Sequence, residues 1–304
     1  MSPQDGSPEF LAFHGDELAA QTLAGQGPKA ARMRPFMPEQ HRDFFAGLPY
    51  LFIATADAAG WPVASVLSGA PGFVQSPDPV TLRIDGVHES EGLAVGRNVG
   101  LLGLDLTNRR RNRANGHLTE VDAGGLTVRV AQSFGNCAQY IQTRLPTAVT
   151  RTPAPVEQFD GLDEAARTLV SGADTFFVAS QSRADIENGG GFDMSHRGGR
   201  PGFVGVLGNT LAIPDFAGNR FYNTLGNLLG DPRAGLLFID FARGELLQLQ
   251  GRAEIDWTPG GSGPDGAQRL WRVRIERGSR RRGAFPFAWT FGDYAPTTLR
   301  TGVW

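Results

Sequence analysis

The run Asp193-Met-Ser-His-Arg-Gly-Gly-Arg-Pro-Gly-Phe-Val204 gathers one hydroxyl (Ser195), one imidazole (His196) and two guanidinium groups (Arg197, Arg200) beside three glycines. Arginine presents a planar fork of donors that matches phosphate oxygens. Glycine, first of all Gly198, lets backbone N–H groups approach an anion with no Cβ in the way. The closing Gly-Phe-Val reads as entry into a buried strand. Two readings stay open at this point: a phosphate-bearing cofactor held at a strand edge, or an arginine-rich surface turn that binds nothing. Cys137 lies in Phe134-Gly-Asn-Cys, a stretch that reads as the end of a strand opening a helix. A helix N-terminus favours the thiolate, so a reactive thiol is one reading and a small buried hydrophobe the other. Asn136 and Tyr140 flank it and could face a groove. His14 and Glu17 are spaced i, i+3, yet one such pair without a second makes no metal site.

Composition narrows the chemistry. Of 29 basic residues only Lys29 is a lysine, and it sits in an exposed-looking Gly-Gln-Gly-Pro-Lys segment. A phosphate loop of the Walker kind and a Schiff-base lysine are therefore both disfavoured. A single cysteine excludes an intrachain disulfide and a cysteine-cluster metal site, and suits a cytoplasmic location. Formal net charge is −2, so no bulk field draws the chain to nucleic acid or to membrane. The runs Arg109–Arg113 and Arg280–Arg282 lack interleaved aromatics and read as solvated loops. No apolar stretch approaches the ~18 residues of a membrane span, and no signal peptide is evident.

The elements that must position these residues are mostly strands. Helices are expected over residues 10–23, 38–46, 91–98 and 162–170, with another starting at Phe134. Short apolar runs punctuated by turns begin at Tyr50, Val63, Gly72, Val80, Gly100 and Gly124. A proline- and threonine-rich stretch, 145–160, reads as a linker. Four segments recur in order across it. Residues 46–55 resemble 171–180, 69–74 resemble 199–204, 81–84 resemble 210–213 and 100–106 resemble 235–241, at offsets of 125, 130, 129 and 135. Such order argues for an internal duplication. Each unit then reads as a small antiparallel barrel with flanking helices. Two copies can pack as a two-fold dimer would, and a site between them need occur only once. Ser195 falls opposite Ser65, whereas His196 and Arg197 have no counterpart in the first copy. The predicted segmentation is an extension (1–35), a first unit (36–144), the linker, a second unit holding the main cofactor grip (161–290) and a tail (291–304).

Taken together, Ser195-His-Arg-Gly-Gly-Arg-Pro-Gly-Phe-Val204, Asn223-Thr-Leu-Gly-Asn-Leu-Leu-Gly-Asp-Pro232, Phe134-Gly-Asn-Cys-Ala-Gln-Tyr-Ile141 and Gly283-Ala-Phe-Pro-Phe-Ala-Trp289 resemble a known family. The chain is similar, over roughly residues 35–290, to the tandem pyridoxamine 5′-phosphate oxidase-related FMN-binding split barrels. The resemblance implies an α+β, mostly β fold of two tandem antiparallel split β-barrels, and FMN in the groove between them. It puts Ser195, His196, Arg197, Gly198 and Arg200 on the cofactor-binding edge, with Asn223, Thr224 and Asn227 on the helix beside it and Ser65, Asn136 and Cys137 on the opposing wall. Asn223 and Thr224 stand where the oxidases carry an Arg-Lys pair, so the positive charge is expected from Arg197 or Arg200. The oxidases' C-terminal Arg-x-His substrate motif is missing, so pyridoxamine phosphate oxidation is not implied. What is implied is an FMN-dependent oxidoreductase acting on a small molecule or electron donor, with a homodimer left open. A non-catalytic flavin or haem-binding barrel, a haem-degrading relative and a deazaflavin-dependent reductase are the alternatives. FAD is a less favoured form of the cofactor, and neither a general acid nor a general base is implied.

Overall fold

The computed structural model describes residues 10–27, 29–86, 92–186, 189–258 and 260–304. The chain is mostly β, in antiparallel sheets, with four α-helices among the described residues. The first large sheet holds β1 (Tyr50–Ala56), β2 (Pro62–Ser68), β3 (Val74–Gln75), β4 (Thr81–Asp85), β5 (Asn98–Asp105), β6 (Arg110–Asp122) and β7 (Gly125–Gly135) in the order β2-β1-β5-β6-β7-β4-β3. β8 (Arg144–Ala148) and β9 (Glu157–Asp160) then lead to the second large sheet. It holds β10 (Thr175–Gln181), β11 (Phe192–Gly198), β12 (Gly205–Leu207), β13 (Thr210–Phe216), β14 (Arg233–Asp240), β15 (Glu245–Asp256) and β16 (Ala267–Arg281). Its order, β11-β10-β14-β15-β16-β13-β12, is the same as that of the first. β17 (Phe287–Phe291) pairs with β8 as a separate ribbon.

The likeness extends to register. Ile53 faces Ser65 and, in the second sheet, Val178 faces Ser195. Ala54 faces Gly100 and Ala179 faces Gly235. Each sheet carries a bulge at the corresponding step, Asn115/Gly116 in one and Gln250/Gly251 in the other.

β1 and β10 are apolar without alternation because both of their faces are covered. Successive side chains of a strand point to opposite faces. Leu51 and Ile53 enter the core of the first sheet, while Tyr50, Phe52 and Ala54 enter a core shared by both halves. In β10, Phe176 and Val178 serve the second sheet's own core and Phe177 and Ala179 the shared one. Phe52 and Phe177 stack there with ring centroids 3.7 Å apart. Burying each ring contributes about 1.5–3 kcal/mol. Gly100 and Gly235 let the two halves close together. A Cβ on Gly100 would lie 2.5 Å from the Phe192 carbonyl oxygen, and one on Gly235 would lie 2.3 Å from that of Pro62.

Several expected elements shift. α1 (Gly15–Leu23) begins five residues later than residue 10, because the Glu17 carboxylate reaches back to the His14 N–H and fixes the start there. α2 (Glu39–Ala46) follows Pro38, as expected of a proline at a helix start. α3 (Glu164–Gly172) starts after Asp163, whose carboxylate accepts from the Ala166 N–H at 2.8 Å. No helix follows Phe134: the chain leaves β7 irregularly and Tyr140 takes a left-handed φ of 61°. Of the helix expected over 91–98, residue 91 lies outside the described residues, 92–97 run through turns and irregular chain, and Asn98 opens β5. Part of the expected insertion at 185–191 is likewise outside them. The stretch read as a linker carries β8 and β9, and the latter adds to the second sheet through β16. Pro146 is tolerated because β8 has a partner on one side only. The first helix and the C-terminal residue are also docked: α1 packs on α4 (Asn223–Gly230), and the Trp304 indole donates to the Phe203 carbonyl at 3.1 Å. Phe287 and Trp289 pack into the shared core with Tyr50 and Phe285. No helix among the described residues is long and apolar enough to cross a membrane.

Candidate functional site

A cleft of about 850 Å³, open mouth included, lies between the halves. β6 and the segment after β7 form one wall; β11, β13 and the start of α4 form the other. Five arginines line it (Arg111, Arg113, Arg197, Arg220 and Arg269) against a single carboxylate, Asp215. The aromatic part of the lining includes Tyr140, Phe216 and Tyr222.

Part of that charge is already matched. Arg197 and Arg269 share Asp215, at 2.7 and 2.8 Å. Arg113 donates to Asp193 at 3.2 Å, to Ser195 Oγ and to the Asn223 side-chain oxygen at 3.4 Å. Thr224 Oγ1 donates to Ser195 Oγ at 2.8 Å. Arg111 differs. Its Nη1 lies 3.4 Å from His196 Nδ1, its Nε is buried without a partner, and no carboxylate pairs with it among the described residues. Burial, then the neighbouring Arg113, lowers its pKa to about 9, so it is charged at neutral pH.

His196 is buried and its pKa is pushed well below the ordinary histidine value, first by burial and then by Arg111, Arg197 and Arg144. It is therefore a neutral imidazole at pH 7. A guanidinium only donates, so Nδ1 must accept from Arg111 and the proton sits on Nε2. That Nε2–H is buried with no acceptor. The start of α4 adds further donors. Its N-cap, Tyr222, has a left-handed φ of 59° and makes no side-chain capping bond, so the first-turn N–H groups have no side-chain acceptor there. Anions favour such an end.

Of the residues singled out in the sequence, Ser195, His196, Arg197, Gly198, Asn223, Thr224, Asn136 and Cys137 line this cleft. Three do not. Arg200 is exposed and donates to the Thr301 carbonyl at 2.7 Å, drawn off by the docked C-terminal segment. Asn227 is buried behind the wall, donating to Ser180 Oγ and Asp193. Ser65 lies in the other sheet's hairpin and accepts from Gln248 at 2.7 Å. Arg197 lines the cleft with its charge committed to Asp215. Arg111 and the exposed Arg220 are the cleft arginines with no carboxylate partner among the described residues, and Arg111 lies within a run that had read as a solvated loop. That reading also fails for Arg280, which is buried against Asp163. Cys137 is exposed, neither at a helix start nor in the core. His14 and Glu17 do form a contact, but no group of metal-binding side chains occurs among the described residues.

A cue to Arg111 and Arg113 was present. They alternate along a strand and so share a face. Carried over at the 135-residue offset, they stand where the second half has Leu246 and Gln248.

No protein-family model matches the chain, and no curated protein does. Among solved structures, HupZ of Group A Streptococcus aligns at 15% identity over 38% of this chain and 91% of its own, with a TM-score of 0.29. A FAD-binding protein of Mesorhizobium loti aligns at 13% identity over 42% of this chain and 97% of its own, with a TM-score of 0.28. A putative 5-nitroimidazole antibiotic resistance protein of Bacteroides thetaiotaomicron aligns at 13% identity over 44% of this chain and 93% of its own, with a TM-score of 0.29. At such scores the likeness carries no weight for this chain, and the reading below rests on the cleft's own residues.

Proposed function

We propose that the chain is a tandem pair of split barrels, and that the cleft between them binds flavin mononucleotide by its phosphate in the service of an FMN-dependent oxidoreductase. The observation that carries this is that Arg111 and His196, each with a buried nitrogen lacking a partner, line one cleft together with the uncapped start of α4. A phosphate dianion answers all three, in surroundings where charge-assisted hydrogen bonds are strong. Ser195, Thr224 and Arg113 form the floor, already fixed to one another, and Tyr140, Phe216 and Tyr222 offer apolar surface for a planar ring. The shared strand order, the matched registers and the stacked Phe52–Phe177 pair support the duplicated fold. The flavin, when bound, supplies hydride or electron transfer; the protein supplies placement and field. Substrate and electron donor are then small molecules reaching the open mouth. Haem is less well served, since iron needs a lone pair on an imidazole nitrogen and the Arg111 bond leaves the proton on Nε2.

Absorbance of the purified protein, then titration with FMN, tests this. A flavin spectrum, or tight FMN binding that Arg111→Ala weakens, is the expected result. A haem spectrum, or FMN affinity unaffected by that change, would overturn it.

A further inference from the structure

A second groove, of about 1500 Å³ with its open mouth included, shares no lining residue with the cleft. One wall is α3, which presents Ala165, Leu169 and, at its C-cap, Ala173 at intervals of four, the spacing of one helix face. The other is the end of β14 and the turn after it, with Ile239, Phe241 and Arg243. At the 125-residue offset the first half has Gln40, Phe44 and Leu48, a larger side chain at each of the three helix-face positions. Arg144 and Thr175 form the buried polar part of the groove, 7% and 1% exposed. Arg144 Nη2 donates to both oxygens of Asp174, at 2.7 and 2.5 Å, and its guanidinium carbon lies 4.2 Å from the Phe241 ring centroid. Asp174 and Phe241 both line the groove, so the charged end of Arg144 lies at its wall. Arg144 Nη1 and Thr175 Oγ1 are buried without a hydrogen-bond partner. Buried donors left unanswered are costly and rare in folded proteins.

We propose that this groove is a second ligand site, for a small neutral molecule that lays an aromatic ring against Leu169, Ala173, Ile239 and Phe241 and turns one carbonyl oxygen to Arg144 Nη1 and Thr175 Oγ1. A guanidinium donates and cannot accept, and a hydroxyl can donate beside it, so the ligand atom that answers both is an acceptor with two lone pairs. Neutrality follows from the charges along the groove. Arg144 is paired with Asp174, Arg243 with Asp240 at 3.3 Å and Arg282 with Glu245 at 3.4 Å, all of them lining residues. Each cation already has its carboxylate. A ligand carboxylate would therefore sit beside Asp174 on the same guanidinium with no surplus positive charge to hold it. Phe241, which covers the guanidinium, is only half-buried, so a ligand reaches Nη1 by moving one ring and not the sheet. Apolar area then supplies affinity and the single oxygen supplies orientation, as in small-molecule sites generally. The site does not depend on the cofactor reading of the cleft.

The test titrates three probes against the full-length chain by saturation-transfer NMR: acetophenone (ring and neutral carbonyl), benzoate (ring and anion) and ethylbenzene (ring alone). Acetophenone is expected to bind tightest, by about two- to tenfold over ethylbenzene, the worth of a neutral hydrogen bond. Thr175→Val removes the hydroxyl at nearly constant shape. Because that hydroxyl has no partner in the fold, the substitution is expected to leave the urea midpoint no lower while cutting acetophenone affinity about two- to tenfold. Ala165→Trp, at an exposed position of α3, is expected to fill the groove and cut acetophenone affinity by about tenfold or more. Neither residue lines the cleft, so FMN titration of both variants serves as a control and is expected to match wild type. Equal affinity for the three probes, tightest binding of benzoate, acetophenone binding that either substitution leaves unmoved, or no acetophenone binding at all would each overturn the proposal, and none of these outcomes bears on FMN in the cleft.

Discussion

A guanidinium withdrawn from water and facing no carboxylate gains most from an incoming anion, and Arg111 is in that position. Arg111→Ala is expected to weaken FMN binding by about 1.5–3 kcal/mol, the worth of a charged hydrogen bond. Arg200→Ala, outside the cleft, is expected to leave it unchanged; fluorescence titration compares the two. Glu17 makes a second prediction at this scale. Its pKa rises from 4.5 unfolded to about 8 folded, so folding takes up a proton between those values. Its contribution is fully present below pH 4.5, falls as pH rises to about 8, and is level above. Glu17→Gln is therefore expected to match wild type in stability near pH 5 and to exceed it by ~2 kcal/mol or more near pH 8, read by urea unfolding. Residue types in the 193–204 run announced a polar cluster, but not which arginines stay unmatched. That depended on Asp215 and on the Thr301 carbonyl, far along the chain, each claiming one of the two expected cations.

Among the elements, α4 matters most because it joins the cleft to the N-terminal helix. Its glycines are seats for α1 rather than helix breakers. Gly226→Ala would set a methyl against the Glu17 backbone and is expected to destabilise the protein by about 1–3 kcal/mol, measured by urea unfolding. Strands were legible where apolar runs were bounded by turns, as at Tyr50–Ala56 and Asn98–Asp105. α1 could be located but not given a role, since nothing in its composition says that it docks on a helix some 200 residues away. The segment after Phe134 misled because its spacing is helical, whereas Tyr140 is held in a left-handed turn, its N–H bonded to Thr297 Oγ1 and its hydroxyl to the Ala217 carbonyl. The proline-rich stretch hid β8 and β9 because an edge strand with one partner tolerates proline.

For the whole molecule, the pairing of like with like across the shared core is the feature to test. Phe52 and Phe177 occupy corresponding positions and stack on one another. Phe177→Ala is expected to cost about 3–5 kcal/mol, with a single cooperative transition in calorimetry because the core belongs to both halves. The relation also bears on how many sites the chain holds. Arg113 donates to Ser195 at the cleft, and the corresponding contact elsewhere is Gln248 to Ser65. A neutral amide there, with Leu246 in place of Arg111, leaves that second position without the counterparts of the cleft's Arg111 and Arg113. The sequence repeat foretold the shared strand order, because offsets survive where registers do. It could not foretell that α1, β8, β9 and the C-terminal segment would close around the two sheets, for these have no counterpart within the repeat.

The most direct measurement is the stoichiometry of FMN on the purified full-length chain, by calorimetric titration with absorbance recorded on the same sample. One FMN per chain, with a flavin spectrum and near-complete loss of binding when Arg111 and Arg113 are both replaced by alanine, is the expected result. Two FMN per chain, none, or one that survives the double replacement would contradict a single anion-holding cleft between the halves.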